Sequence, residues 1–189
     1  MDRFQIINFR MGEAPALMAL AWRLRYRVFC EEMGWTIPTA DLLEFDDLDG
    51  DAHHCVALLH GRAAGYWRLL PTTGPYLLER SFPELLGAPP RSPLLLELSR
   101  FALCQNLSVM ARLRAGRALV DALHRQGAAL GATKLIGVTD PRFARFLPAC
   151  GLDVTPMTPA RTVGEARGRP VEALVVTAEL RAAETRHAA

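Results

Sequence analysis

The stretch Leu96–Leu103, LELSRFAL, alternates apolar and polar residues in the pattern of a β-strand. Its polar positions include an acidic residue, Glu97, and a cationic residue, Arg100. Residues three apart on a regular strand point to opposite faces of the sheet. The pair is therefore either a solvated strand edge or part of a pocket. Both side chains can face one pocket only if a bulge or kink lies near Leu98–Ser99. Otherwise Arg100 acts on the pocket without touching the ligand itself.

The pattern of apolar residues on either side of this strand predicts an α/β domain. A long amphipathic helix over Val109–Leu130 follows the strand, and a hairpin of His54–His60 with Ala64–Leu70 precedes it. Residues 1–189 are expected to form one three-layer α-β-α domain with a mixed, largely antiparallel twisted sheet. The other expected strands are Phe4–Phe9, Lys134–Thr139 and Val171–Leu180, and the other expected helices are Ala14–Glu32, Phe82–Leu86 and Arg142–Ala149.

The composition excludes several classes of protein. The chain has 189 residues, 50% of them hydrophobic, which fits a globular domain rather than a disordered or fibrous chain. A formal net charge of +2 gives no indication of nucleic-acid binding. The four cysteines form no C-x-x-C pair, and there is neither a signal peptide nor an apolar run of about 20 residues. These features predict a cytoplasmic protein that binds no metal, no nucleic acid and no membrane.

Charged and aromatic residues also occur where a plain fold does not require them. Arg25 and Phe29 are four residues apart and share one face of the first expected helix. The segment 34–51 holds six acids, including Asp46 and Asp49, and no Lys or Arg. Arg68 falls inside a strand of high β propensity. Taken singly, each charge is also consistent with a surface ion pair worth about 0–1 kcal/mol.

Taken together, the spacing of these residues resembles the acyl-homoserine lactone synthase (autoinducer synthase) family. The matching motifs are R-x-x-x-F-x-x-x-x-x-W, E-x-D-x-x-D, WRLLPTTGPY, FPELL and ELSRF, in that order, from Arg25 to Phe101. The eight polar and aromatic positions that mark the family are Arg25, Phe29, Trp35, Asp46, Asp49, Arg68, Glu97 and Arg100.

The resemblance implies a fold similar to that of the N-acetyltransferase superfamily. It also implies a reaction that makes a quorum-sensing signal. The amine of S-adenosylmethionine attacks an acyl-thioester carried on acyl carrier protein or on coenzyme A. The methionyl carboxylate then displaces methylthioadenosine and closes a lactone. S-adenosylmethionine is a substrate here, and no prosthetic group is implied.

The same resemblance assigns roles to single residues. Asp46 and Asp49 attract the positive centres of S-adenosylmethionine, whereas an arginine holds its carboxylate, since a guanidinium binds a carboxylate with two hydrogen bonds. Glu97 is the expected general base, with Asp46 as the alternative, and Arg100 organises the site. The full set expected to bind S-adenosylmethionine is Arg25, Phe29, Trp35, Asp46, Asp49, Arg68 and Arg100.

Residues 1–100 are expected to form the catalytic half, which binds S-adenosylmethionine. Residues 101–189 are expected to bind the acyl chain and its carrier. Gly137 falls where members that make 3-oxoacyl products commonly carry Thr, so an unsubstituted chain is favoured, although a small shift in alignment brings Thr139 nearer. The candidate acyl pocket is Leu103, Met110, Leu119, Leu123, Gly137, Thr139, Phe143, Phe146 and Leu147. The candidate face for docking the acidic carrier protein is Arg114, Arg117, Arg142 and Arg145, which is otherwise a solvated helix face.

Two alternatives stay open from the sequence. A generic acyl-CoA-dependent N-acyltransferase requires a pyrophosphate loop at the start of a long helix. In the run from Leu113 to Ala118, Gly116 and Ala118 match that loop, but Leu113 stands where Gln or Arg is expected. An acyl-sensing module without turnover is the other alternative. Such a module has no need for an acid placed beside an arginine, whereas this chain has Glu97 near Arg100.

Overall fold

The structure is a computed structural model that describes residues 3–181. Its longer strands contain the β-branched and aromatic residues that favour a pleated, buried surface. In chain order the strands are β1 (Gln5–Arg10), β2 (Thr39–Ala40), β3 (Leu43–Glu44), β4 (His53–Leu59), β5 (Arg62–Pro71), β6 (Leu95–Leu103), β7 (Lys134–Thr139), β8 (Thr155–Pro156), β9 (Arg161–Ala166) and β10 (Arg169–Glu179).

The helices begin and end where local chemistry favours it. The longest has Ser108 as its N-cap, whose Oγ accepts from the Ala111 N–H at 3.3 Å, and it ends just before Gly131, which has φ +74°. The α-helices are α1 (Pro15–Arg25), α2 (Leu77–Ser81), α3 (Val109–Ala129) and α4 (Pro141–Phe146). A π-helical segment, Tyr26–Glu32, continues α1, and short 3₁₀ turns occupy Asp47–Asp49, Pro83–Leu85 and Leu147–Cys150.

One mixed sheet organises the domain, in the order β1-β4-β5-β6-β7-β10-β8, with β9 pairing to β10. Its pairs are antiparallel except β6 with β7, which run parallel. Helix α1 packs with Tyr66 and Ala102 on one face of the sheet, where α2 also lies. Helix α3 packs with Trp67 and Leu96 on the other face, and α4 covers β10. The predicted three-layer α-β-α fold with a largely antiparallel sheet is confirmed.

The parallel pair β6–β7 is joined for only part of its length. Partners run from Leu95 with Lys134 to Glu97 with Ile136, and the strands then continue without pairing to Leu103 and Thr139. Strand β6 stays paired to β5 over that stretch, so the unpaired edges of β6 and β7 diverge. This divergence leaves an opening through the middle of the sheet.

Strand β6 carries a bulge, as the sequence required for Glu97 and Arg100 to share a face. Ser99 pairs with Arg68 and Ala102 pairs with Tyr66, so Arg100 and the residue after it lie together opposite one residue of β5. Arg100 has φ +54°, in the left-handed region. The prediction of a bulge is confirmed, but its position near Leu98–Ser99 was wrong by about two residues. Only the pairing register decides that position.

Several element boundaries differ from the expectations. The expected helix Ala14–Glu32 is α-helical only to Arg25, since its last turns have wider hydrogen bonds such as Met33 N–H to Val28 O at 3.0 Å. The expected helix Phe82–Leu86 is a 3₁₀ turn. Helix α2 and strands β2, β3, β8 and β9 were not expected, because the two-residue strands are too short for a periodic pattern and β9 is largely exposed.

Candidate active site

A buried ionic cluster lies on the α1 face of the sheet. Arg25 comes from the last turn of α1, Arg68 from the middle of β5 and Arg100 from the bulge of β6. Arg25 and Arg68 are fully buried. Buried charges require ionic partners, and the acid-rich segment supplies three of them: Glu44, Asp46 and Asp49.

Each acid of the cluster joins two arginines. Asp49 Oδ1 accepts from Arg25 Nη1 and from Arg68 Nη1, both at 2.7 Å. Glu44 accepts from Arg25 Nε and, at 2.9 Å, from Arg100 Nη2. Asp46 accepts from Arg68 Nη1 and, at 3.1 Å, from Arg100 Nη2. The three acids and three arginines therefore form one continuous network.

The acids of this network are ionised at neutral pH. Burial acts to raise the pKa of Asp49, but the charges of Arg25 and Arg68 outweigh it and lower that pKa to about 2. The pKa values of Glu44 and Asp46 are also lowered, because neighbouring guanidinium groups outweigh their burial. Glu44 was not assigned a role from sequence, although it opens the E-x-D-x-x-D motif. That motif was the available signal.

An aromatic and cationic stack continues from the cluster. The Arg100 guanidinium carbon lies 5.7 Å from the centre of the Phe29 ring, and Phe29 stacks on Trp35 with centroids 5.3 Å apart and planes 14° apart. All three side chains line a large cavity. Arg100 is 12% exposed, so it is the arginine of the cluster that presents a surface to this cavity.

The cavity, about 940 Å³ in volume, passes through the opening between β6 and β7. On the α1 and α2 side its wall includes Phe29, Trp35, Ser99, Arg100 and Leu77. On the α3 and α4 side the wall is mainly apolar, although Arg112 of α3 and Arg142 of α4 also line it. Its apolar members pack against the core beneath α3: Leu103, Phe143, Phe146, Leu147, Leu152 and Val154. The cavity thus has one side with charged and polar groups and one side that is mainly apolar.

Glu97 lies on the α1 and α2 face but behind the cavity wall. It is fully buried, and its two carboxylate oxygens accept the backbone N–H groups of Leu77 at 2.8 Å and Leu78 at 2.6 Å. Burial raises the pKa of Glu97, although these two N–H groups act to lower it. Its neighbours Ser99 and Ile136 line the cavity. Glu97 therefore holds the start of α2 and is poised to accept a proton at a higher pH than an exposed acid.

Six of the nine expected acyl-pocket residues line the cavity: Leu103, Gly137, Thr139, Phe143, Phe146 and Leu147. The other three do not, which corrects the expectation. Leu119 and Leu123 are fully buried between α3 and the sheet, because they lie on the face of α3 that packs on the core. Met110 lies in the exposed first turn of α3, and 63% of it is exposed.

Gly137 leaves no room for a side chain. A Cβ there would lie 2.7 Å from the carbonyl oxygen of Leu98, which is backbone on the neighbouring strand. A glycine is therefore required by the close approach of β7 to β6 where the two strands begin to diverge. Thr139, two residues further on, lines the cavity and carries the hydroxyl that Gly137 lacks.

The pyrophosphate loop that a generic N-acyltransferase requires is not present as a loop. Helix α3 begins at Val109, so Leu113–Ala118 lies inside the helix, where backbone N–H groups are already hydrogen-bonded. Gly116 serves packing, since a Cβ there would lie 2.5 Å from Cys150 Sγ. Of the expected docking residues, Arg117, Arg142 and Arg145 are exposed on the α3 and α4 layer, and Arg114 is half-buried.

Among residues 3–181, no group of His, Cys, Asp and Glu has a metal-binding arrangement. No helix among them is long and apolar enough to cross a membrane. The adjacent histidines have protein partners: His53 contacts Arg10 Nη1 at 3.0 Å, and His54 contacts the Tyr66 hydroxyl at 2.6 Å.

Known proteins are similar to this chain in sequence and in structure. The family model described as autoinducer synthase matches residues 13–179. The chain belongs to the autoinducer synthase family. A relative from Ralstonia nicotianae, an acyl-homoserine-lactone synthase, is 39% identical over 172 residues, which are 86% of this chain and 83% of that protein.

Solved structures of acyl-homoserine lactone synthases are similar to this structure along most of the chain. The crystal structure of the AHL synthase LasI has a TM-score of 0.80 and 30% identity, covering 96% of this chain and 92% of that one. TofI in a ternary complex with an inhibitor and MTA has a TM-score of 0.76 and 32% identity, covering 93% and 91%. A putative N-acetyltransferase from Lactobacillus plantarum shares the fold alone, with a TM-score of 0.62 and 20% identity over 95% of this chain and 100% of that one.

The predicted identity is thereby confirmed at the level of the enzyme. This autoinducer synthase is an acyltransferase, an acyl-homoserine lactone synthase with an acetyltransferase-like fold. The generic N-acyltransferase and the acyl-sensing module are both disfavoured, because the relatives that match most of the chain are acyl-homoserine-lactone synthases.

Proposed function

We propose that this synthase binds S-adenosylmethionine on the α1 and α2 side of its cavity and an acyl-thioester on the α3 and α4 side. The observation that carries the proposal is the cavity itself, which crosses the sheet between β6 and β7. Its charged and aromatic side suits a nucleoside-bearing cation, and its apolar side suits an acyl chain. The two substrates then meet at the opening between the strands.

The stack of Arg100, Phe29 and Trp35 is the proposed wall of the S-adenosylmethionine site. The two rings offer an apolar surface, and Arg100 reaches the cavity with a guanidinium suited to the methionyl carboxylate. The TofI structure contains MTA, the abbreviation of methylthioadenosine, which is the product part of this substrate. That complex supports a nucleoside site in a structure that is similar over 93% of this chain.

Arg25, Arg68, Asp46 and Asp49 are proposed to shape this site and set its charge. Arg25 and Arg68 are fully buried and bound to acids, yet the Nη2 atom of each has no hydrogen-bond partner among the described residues. A buried donor without a partner is unfavourable. A carboxylate bound next to Arg100 is the kind of group that satisfies such donors after a small rearrangement. Asp46, 22% exposed, is the acid of the cluster nearest to solvent.

The chemistry follows from this arrangement. The neutral amine of S-adenosylmethionine attacks the thioester carbonyl, the new C–N bond forms, and the carrier thiolate leaves as the C–S bond breaks. The amine proton passes to a base, which we assign to Glu97 acting through a water molecule, since burial raises its pKa and each oxygen keeps a free lone pair. Asp46 is disfavoured as the base because its pKa is lowered. The carboxylate then attacks its own γ-carbon and expels neutral methylthioadenosine.

The acyl chain is proposed to lie against Leu103, Phe143, Phe146 and Leu147, which line the apolar side. Gly137 offers no hydroxyl to a 3-oxo group, which supports an unsubstituted chain, whereas the hydroxyl of Thr139, which also lines the cavity, leaves a 3-oxo chain as the alternative. Acyl carrier protein is the proposed donor, because three exposed arginines on the α3 and α4 layer suit an acidic partner and α3 has no pyrophosphate loop for coenzyme A. Coenzyme A remains the second candidate carrier, and a cytoplasmic location stays a prediction.

One assay tests the proposal. The purified protein is mixed with S-adenosylmethionine and a panel of acyl-carrier-protein and acyl-CoA donors of several chain lengths, with and without a 3-oxo group. Mass spectrometry is expected to detect an acyl-homoserine lactone and an equal amount of methylthioadenosine. An absence of lactone from every donor would contradict the proposal, and lactone from acyl-CoA alone would reject the carrier protein as donor.

A further inference from the structure

The β9–β10 hairpin forms part of the cavity wall. Its two strands are joined by Arg167 and Gly168, which have φ +51° and +71°, so both residues of the turn are left-handed. Val163 and Glu165 from β9 and Val171 from β10 line the cavity. The hairpin, in which β9 pairs with the part of β10 that does not pair with β7, therefore closes one side of the cavity.

The tip of this hairpin reaches the opposite wall. Arg167 Nη2 donates a hydrogen bond to the carbonyl oxygen of Glu31, near the end of the π-helical segment. The side chain of Arg167 also lies across Gly34, where a Cβ would be 2.8 Å from both its Cγ and its Nε. Gly34 has φ +73° and no side chain, so its position accommodates the arginine. The contact joins residues 136 positions apart in sequence.

The hairpin is also tied at its base. Arg161 Nη1 donates to the carbonyl oxygen of Glu84 at 3.2 Å, in the 3₁₀ turn after α2. The hairpin thus spans the cavity between two attachments, both on the side that holds Phe29 and Trp35. An arginine in a left-handed turn is unfavourable compared with Gly or Asn, so the turn itself gives no reason for Arg167. Its contact with Glu31 and Gly34 does.

We propose that Arg167 is a positioning residue that latches the β9–β10 hairpin across the nucleoside side of the cavity. S-adenosylmethionine enters and methylthioadenosine leaves when this latch opens, whereas the acyl donor enters from the other face of the sheet. The proposal rests on the proposed function for the identity of these ligands. It assigns the hairpin to S-adenosylmethionine because Val163 packs in the cluster that contains α2 residues, on the same face as Arg100.

Variants at the tip separate the latch from the turn. Arg167→Gly and Arg167→Asn remove the side chain that reaches Glu31, and both residues favour the left-handed backbone that the turn requires. The hairpin itself is therefore kept. Arg167→Lys retains a cationic donor and is expected to restore part of the effect. In the unliganded protein, hydrogen exchange of the β9 and β10 amides is expected to be about 2- to 10-fold faster in Arg167→Gly than in the wild type, the usual worth of one hydrogen bond.

The ligand readout is a difference between the two substrates. Intrinsic tryptophan fluorescence, to which Trp35 in the cavity wall contributes, can follow methylthioadenosine dissociation in a stopped-flow experiment. Arg167→Gly is expected to raise that dissociation rate and the KM for S-adenosylmethionine by about 2- to 10-fold, with the KM for the acyl donor unchanged. A general loss of stability would move both KM values together.

Gly34→Ala provides a second, coupled test. The added Cβ displaces the Arg167 side chain in the wild-type background, whereas in Arg167→Gly it meets no such neighbour. The two substitutions are therefore expected to be non-additive in the dissociation rate. Equal exchange rates in wild type and Arg167→Gly would overturn the latch, as would an altered KM for the acyl donor alone or full additivity. Because hydrogen exchange needs no ligand, its result stands even if the protein forms no lactone, which would contradict only the proposed function.

Discussion

Arg25 Nη1 and Arg68 Nη1 lie at the same distance, 2.7 Å, from a single oxygen of Asp49. The Trp22 indole N–H donates to the other oxygen of Asp49 at 3.0 Å. One carboxylate therefore ties helix α1 to strand β5. Asp49 is also almost fully buried, so its charge has no compensation from water. The ionic cluster depends on it more than on any acid nearer the solvent.

Asp49→Asn tests this dependence. It leaves two buried guanidinium groups short of a charge partner, and breaking a buried ion pair typically costs about 3–5 kcal/mol in the free energy of unfolding. Urea unfolding measures the change. Asp47→Asn is the matched control, since Asp47 pairs with Arg80 on the surface and is 75% exposed. Its expected cost is below about 1 kcal/mol. An equal cost for both variants would contradict the role of Asp49.

The same residue predicts a pH dependence of stability. The pKa of Asp49 is about 2 in the folded protein, against about 3.9 for an exposed Asp. A carboxyl whose pKa falls on folding stabilises the protein above its unfolded pKa and loses that contribution as the pH falls towards its folded pKa. Between about pH 5 and pH 1 the wild type is expected to lose about 2–3 kcal/mol through this group. Comparison with Asp49→Asn by urea unfolding isolates that loss, and parallel pH curves would contradict it.

Glu97→Gln tests the general base. Turnover is expected to fall by about 10²–10⁴, the usual contribution of such a group, and the acidic limb of the wild-type kcat/KM profile is expected to disappear. Because a Gln amide presents one acceptor where Glu97 accepts two N–H groups, a loss of stability is also expected. The pH profile separates the two effects. Glu84→Gln, at an exposed residue, is the control, and an unchanged pH profile for Glu97→Gln would remove Glu97 from the role of base.

Gly137→Ala tests the close approach of β7 to β6. The new Cβ would lie 2.7 Å from the Leu98 carbonyl oxygen, so the strands must move apart, at an expected cost of about 1–3 kcal/mol in the free energy of unfolding. Gly87→Ala is the control, because nothing lies within 4 Å of a Cβ there. Thermal unfolding compares the two variants. Equal unfolding midpoints would show that β6 and β7 can move apart at Gly137 without loss of stability.

Arg142→Glu combined with Arg145→Glu tests carrier docking. The double variant is expected to raise the KM for acyl carrier protein donors at low salt, with the kcat and the KM for S-adenosylmethionine unchanged, because exposed charges of this kind mainly guide association. The effect is expected to weaken as salt is added. Arg62→Glu, at the exposed first residue of β5, is the control. An unchanged KM would remove these arginines from the docking face.

Most of the site was predictable because its members carry motifs with fixed spacing. Arg25, Phe29, Trp35, Asp46 and Arg100, which the family resemblance grouped, meet in one network of ion pairs and stacked rings, and their roles in binding stay predictions. The apolar pocket was predicted less well. In an apolar run the sequence does not distinguish a cavity-lining leucine from one packed in the core. Leu119 and Leu123 proved to be core residues for this reason.

Hydrophobic periodicity and motif spacing can be read along the chain, and they were enough to predict the fold class, the family and the chemical types of residue at the site. Tertiary structure alone decided where the bulge of β6 lies, how far β6 and β7 pair, and which oxygen of Asp49 two arginines share. Each of these depends on register and packing between distant segments. The contact of Arg167 with Gly34 belongs to the same class, because a turn and a helix end meet only when the hairpin folds across the cavity. Glu97 and Arg100 share one face of the sheet for the same reason. The bulge that gives Arg100 its positive φ exists only in the pairing of β6 with β5.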